Sequence, residues 1–139
     1  MNGLLSLFMN TPDVTIGLVT NNRLEKDGGD KQFGLFLNTI PYRYDLSKLE
    51  NKVSKDLLDI FKHKLELLRY KQLPYGYIKS LFGYNLYSCA FNFIHFHIME
   101  KSQNYIESFN GYEKTSIRLF LTIRQSKNTG FNLSLAGHS

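Results

Sequence analysis

Tryptophan is absent from this chain of 139 residues, proline occurs three times and cysteine once. With Cys89 as the single thiol no internal disulfide can form, which excludes the small stapled secreted scaffolds and makes the cytoplasm the expected location. No apolar run approaches the ~18–20 residues that cross a bilayer, so no membrane partner is expected. Met1 to Met9 has neither the basic flank nor the small-residue cleavage site of a secretory signal. A phosphate-binding loop is also missing, because Gly28-Gly29 is followed by neither a helix nor Lys-Ser/Thr. Ser/His/Asp spacing and paired carboxylates are lacking as well. Lys and Arg number 17 against 12 Asp and Glu, a surplus of 17 − 12 = 5. Without clustered basic-aromatic motifs, that surplus implies no nucleic-acid partner.

What is present is ordinary globular material, 42% apolar and 21% charged, of a length suited to one domain over residues 1–139. The 11 Phe and 9 Tyr favour sheet and a bulky core. Gly3 to Asn10 reads as a helix stopped by Thr11-Pro12-Asp13. Val14 to Thr20 is β-branched and nearly all apolar, a strand covered on both faces. A polar loop, Asn21 to Gln32, leads to a second extended stretch, Phe33 to Tyr44, which Pro41 marks as an edge or bulged strand.

Ser47-Lys48-Leu49-Glu50 has the form of a capping box, opening a helix to about Tyr70. Its expected buried stripe is Leu49, Val53, Leu57, Ile60, Phe61, Leu65 and Leu68. Lys48, Lys52, Lys55, Asp59, Lys62, Glu66 and Arg69 fall on the opposite face, as a solvated surface or a docking surface for a partner. Pro74 ends this region, and Tyr77 to Phe82 forms a short turn closed by Gly83. Leu86 to Met99 is a long aromatic strand, and Lys101 to Glu113 is polar with a turn at Asn110-Gly111. Thr115 to Gln125 and Phe131 to Ala136 alternate apolar and polar residues and form a hairpin across the five-residue loop Ser126 to Gly130. This order implies an α+β or mixed α/β fold, a mixed sheet with helices packed on one face.

Two stretches stand out. Gly34 to Arg43 reads G-L-F-L-N-T-I-P-Y-R, and Lys71 to Tyr77 reads K-Q-L-P-Y-G-Y. Asn38, set in an apolar run, needs partners for its amide, and Arg43 ends the strand with a fork suited to a carboxylate or to carbonyl groups. In the plainest account both are structural, Asn38 pinning backbone and Arg43 forming a buried ion pair.

The pattern Gly34-x-Phe36-x-Asn38-Thr39-x-Pro41-x-Arg43 resembles the fifth core motif, I-G-x-F-V-N-T-x-x-x-R, of the condensation domains of nonribosomal peptide synthetases. Val14 to Arg23 looks like the segment before it, and Gln72-Leu73-Pro74-Tyr75 resembles the sixth motif, H/N-Q-D-x-P-F. Lys71 stands there for the usual His or Asn and Leu73 for the Asp, so that second match is partial. Leu86 to Phe96 is similar to the following strand, and the likeness runs from about Leu4 to Ala136. It implies a chloramphenicol-acetyltransferase-like C-terminal lobe, the C-terminal half of a two-lobed acyltransferase. The complete enzyme joins thioesters held on carrier (thiolation) domains by phosphopantetheine, with no cofactor bound directly. Asn38, Arg43, His95 and His97 would line the tunnel between lobes.

That family's H-H-x-x-x-D-G tract has no counterpart here, since His63, His95, His97 and His138 are never adjacent and Asp27-Gly28 has no histidine upstream. No catalytic residue is therefore assigned, and the chain reads as a single partial domain, inactive without an N-terminal condensation lobe. Its edge and apolar face would favour homodimerisation. A non-enzymatic interaction module is the rival of another class. A metal-binding protein is the weaker rival: His95 and His97 share a strand face, but Cys89 is six positions from His95, roughly 20 Å along a strand. Metal is therefore not expected.

Overall fold

The computed structural model describes residues 1–23, 27–28, 33–50, 52–94, 116–126 and 130–137. The chain divides into two compact units, residues 1–87 and 88–139.

In the first unit, α1 (Asn2–Met9) ends on Asn10 in the left-handed conformation, whose amide bonds the Ser6 carbonyl. The strands β1 (Asp13–Asn21) and β2 (Leu37–Asp45) then pair antiparallel, from Asp13 opposite Asp45 to Asn21 opposite Leu37. Alternation sorts their side chains. Val14, Ile16, Thr20, Ile40 and Tyr42 are buried on the even-numbered face. Pro41 lies opposite Gly17, where its missing amide is tolerated because β2 ends its sheet. The extended stretch expected from Phe33 begins as a strand only at Leu37. Gly34 bends the chain at a φ of 149°, a region that favours glycine.

The capping box is not formed. Asp45 accepts hydrogen bonds from the Ser47 amide and hydroxyl, which consigns Leu46–Lys48 to a 3-10 turn. Asp56 takes the Glu50 amide, and Glu50 pairs with Lys55. The helix α2 therefore starts later, at Val53, and ends at Leu68. Its buried stripe is also displaced from the expected one. Asp56, Ile60, His63, Leu67 and Leu68 are the half-covered positions, so Ile60 and Leu68 of the expected stripe are kept, whereas Val53, Leu57, Leu58, Phe61 and Leu65 are exposed. The stripe shifted because a histidine, ignored in an apolar count, makes the contact with β2. The third helix, α3 (Tyr75–Phe82), is longer than the turn expected; Pro74 caps its start and Gly83 its end.

The second unit holds β3 (Cys89–Ile94), β4 (Leu119–Ser126) and β5 (Gly130–Gly137). β3 runs parallel to β4, and β4 antiparallel to β5, so the sheet is mixed as expected. The strands reach further than the sequence suggests: Ser126 and Gly130, expected in the loop, pair with one another. Ala90 and Thr122 on the even-numbered face are fully buried. The odd-numbered face brings Cys89, Phe91, Leu119, Leu121, Ile123, Leu133 and Leu135 side by side. His95, His97, His138, the Asn110-Gly111 turn and the last part of the Leu86 to Met99 strand lie outside the described residues.

Candidate functional site

The two motif stretches meet in the first unit. Asn38, on the even face of β2, donates from Nδ2 to the carbonyl oxygens of Lys71 at 2.8 Å and Leu73 at 2.7 Å. Its own backbone carbonyl accepts from the Thr20 hydroxyl at 3.2 Å. A carboxamide suits this position because it offers two donors to two backbone acceptors. The turn between α2 and α3 is thereby fixed to β2. The substituted positions of the partial motif, Lys71 and Leu73, contribute only backbone here, so their side-chain identity does not enter the contact.

Beyond that turn, Pro74 fixes the start of α3, and Tyr75 is its first residue. The Tyr75 hydroxyl accepts from the Leu86 amide at 3.1 Å, and its ring lies 4.7 Å from that of Tyr87. Tyr87 in turn occupies the space a side chain on Gly17 would need. A Cβ at Gly17 would meet the Tyr87 ring at 2.5 Å and the Thr39 methyl at 2.8 Å. Burial, with a contribution from neighbouring Tyr75, pushes the Tyr87 phenol up to about 12, while a hydrogen bond with Thr39 pulls the other way. Tyr87 escaped sequence inspection because nothing in its neighbours marks it; only Gly17, a glycine inside a strand, signalled a close approach.

Arg43 lies on the odd face, where it grips Asp13 diagonally across the ladder, Nε donating to Oδ1 at 2.9 Å while the other arm reaches Oδ2. The pair is exposed rather than buried. The guanidinium holds the Asp13 carboxyl below the usual carboxylate range. Pro41, Arg43, Asp13 and Thr15 line a cleft of about 530 Å³ whose opposite wall is Ile78, Phe82, Tyr84 and Leu86. α3 thus covers the odd face of the ladder, while α2 reaches rings of the even face. His63 sits edge-on to Tyr42 and Tyr44, at 5.3 and 5.6 Å, and its Nε2 lies 2.9 Å from the Arg43 carbonyl. Only a protonated Nε2 can donate there, so that nitrogen is not available as a base. Alternation along β2 turns Tyr42 and Tyr44 away from Pro41 and Arg43, so the two helices meet different side chains of the same strand.

Of the remaining motif positions, Phe36 lies under the Arg23 guanidinium, 4.6 Å from its ring centre, and Gln72 is exposed. The structure brings Asn38, Thr39, Pro74 and Tyr75 into one connected cluster and sets Arg43 and Gln72 outside it. In the second unit, burial raises the Cys89 thiol above its ordinary range, which disfavours the thiolate. Among the described residues no group of three His, Cys, Asp or Glu is placed to hold a metal ion, and no helix is long and apolar enough to cross a membrane.

An open mixed sheet with its bend-and-clamp motif between β2 and α3 defines a lobe of the chloramphenicol-acetyltransferase-like fold. More narrowly, the chain has the fold of the condensation domains of nonribosomal peptide synthetases. The structure of the condensation domain from the monacolin K polyketide synthase MokA matches 98% of the chain with a TM-score of 0.75 at 18% identity. The starter condensation domain of the rhizomide synthetase RzmA matches 97% with a TM-score of 0.70 at 17% identity. The chain spans 34% and 33% of those two structures, about a third of each. The AMB antimetabolite synthetase AmbE of Pseudomonas aeruginosa is 32% identical over 97 residues, which are 67% of this chain and 4% of that protein. No protein-family model matches the chain.

Proposed function

We propose that this chain is the C-terminal lobe of a condensation-type domain, and that it takes part in amide-bond formation only together with an N-terminal lobe carrying the H-H-x-x-x-D-G tract. The observation that carries the reading is coverage: 98% of the chain superposes on 34% of a condensation domain. In the complete assembly an aminoacyl or peptidyl thioester on one carrier domain is attacked by an amine on a second, each held by phosphopantetheine. The amine nitrogen bonds to the carbonyl carbon, the thiol leaves on its carrier, and the nitrogen gives up a proton.

The chemistry of the described residues supports a positioning role. The Asn38 amide and the Arg43 fork are engaged with protein partners, and His63 donates to a carbonyl. The tunnel-lining role of Asn38, Arg43, His95 and His97 belongs to this proposal. To test it, the purified chain is mixed with two loaded carrier proteins, with and without a separately produced N-terminal lobe. Amide product is expected only when both lobes are present. Product from the chain alone, or none from the reconstituted pair, would overturn the reading.

A further inference from the structure

We propose that the cleft between α3 and the odd-numbered face of β1 and β2 binds a short extended segment of a partner polypeptide, through one residue with a large apolar side chain. The inference goes beyond the function proposed above, since this cleft is formed within residues 1–87 alone. One wall is polar. Arg43 and Thr15 are register partners on β2 and β1, and Asp13 stands diagonally beside Arg43. Asp13 occupies Nε and one arm of the guanidinium. The other arm, Nη1, has no acceptor among the described residues. The half-buried Thr15 hydroxyl likewise makes no hydrogen bond with a described residue. The opposite wall is apolar: Ile78 and Leu86 are half-buried, while Phe82 is 55% and Tyr84 61% exposed.

The chemistry of the two walls selects the occupant. Asp13 and Arg43 cancel each other's charge, so the cleft favours a neutral ligand over an anion or a cation. Nη1 can only donate, whereas the Thr15 oxygen can accept, so the matching group offers one acceptor and one donor. An extended peptide residue does this, because its own C=O and N–H point to the same side of the chain. Its carbonyl receives from Nη1, its amide donates to Thr15, and register pairing holds those two partners ~5 Å apart at Cβ. A large apolar side chain on that residue then removes Phe82 and Tyr84 from water. The volume of about 530 Å³ leaves room for it. Sites for small molecules enclose most of their ligand, but Arg43, Phe82 and Tyr84 all remain exposed here. An open cleft of this kind suits a chain that passes along it.

The test titrates the isotope-labelled full chain with acetyl-Ala-Leu-Ala-amide and follows the Arg43 Nε–H and Ile78 methyl resonances, which report on opposite walls. Saturable shifts of both are expected. Two control peptides are expected to bind about tenfold more weakly: acetyl-Ala-Ala-Ala-amide, which lacks the apolar side chain, and the leucine peptide N-methylated at leucine, which lacks the donor for Thr15. Phe82→Ala and Thr15→Val should each weaken the leucine peptide by a similar factor. Phe82 is exposed and Thr15→Val keeps the branched shape, and circular dichroism of each variant checks its fold. The N-methylated peptide tests the same hydrogen bond on the unaltered chain. The proposal would be overturned by an absence of saturable shifts, by equal binding of the alanine peptide, or by an affinity that neither substitution changes. Acetyl-leucinamide binding as tightly as the tripeptide would overturn it too, assigning the cleft to a small acyl amide. None of these results depends on amide formation, so failure here and failure of the reconstitution assay are distinguishable.

Discussion

The ladder of β1 and β2 and the sheet of β3, β4 and β5 are built on the same alternation of side chains, yet they are completed differently. Around the first ladder, side chains reach across to fix loops and helices: Asn38 holds the turn before α3, Tyr75 receives the Leu86 amide, and Tyr87 fills the notch at Gly17. Across the second sheet the described contacts are mainly ladder pairings, Ala90 and Thr122 are buried on the inner strands, and the edge strand β5 is exposed over most of its length. A region whose side chains reach across to its own backbone and rings is specified by its own sequence. A region that ends in an exposed edge strand carries less of its own specification.

The contrast can be broken most sharply at Gly17. A Gly17→Ala substitution has no room for its methyl between the Tyr87 ring and Thr39, and overpacking of this kind costs about 3 kcal/mol. Urea denaturation followed by circular dichroism reads the effect; an unchanged midpoint would mean that the notch is not tightly filled. Next in size is Asn38→Asp, which turns two donated hydrogen bonds into a carboxylate facing two carbonyls, at a cost of about 2 kcal/mol. The same denaturation measurement checks it, and hydrogen exchange should show faster opening of the turn that precedes α3. Asn38→Ala should cost less, since it removes donors without adding a charge.

The smallest effect is a pH dependence. The folded state favours the neutral Tyr87 phenol, whose pKa is raised from 10.0 to about 12. The unfolded chain therefore loses this proton first as pH rises. Its contribution to stability is complete below pH 10 and is lost as pH climbs through about 12. Denaturation midpoints of the native chain and a Tyr87→Phe variant, compared across that window, isolate the contribution. Parallel curves would place Tyr87 in a wetter site than the structure shows.

Much of the first region was legible in advance because its signals are local. Pro41 marked an edge strand, and in the second region alternation within Thr115 to Gln125 marked the later hairpin. What escaped was set by competition at a distance. Asp45 and Asp56 took amides that a capping box would have claimed, and His63 displaced the apolar stripe of α2 by binding the Arg43 carbonyl. The partner of Arg43 was invisible too, because Asp13 is 30 residues away and only the register of β1 against β2 makes them diagonal neighbours.

The sequence by itself determined the strands, their alternation and the likeness to a condensation domain, because each depends on residue type at short, fixed spacing. Tertiary structure alone decided that the Asn38 amide closes on two backbone carbonyls, that Tyr87 fills the Gly17 notch, and that Arg43 pairs with Asp13. Those outcomes depend on which distant groups arrive within hydrogen-bond or van der Waals range, and short-range spacing carries no record of that.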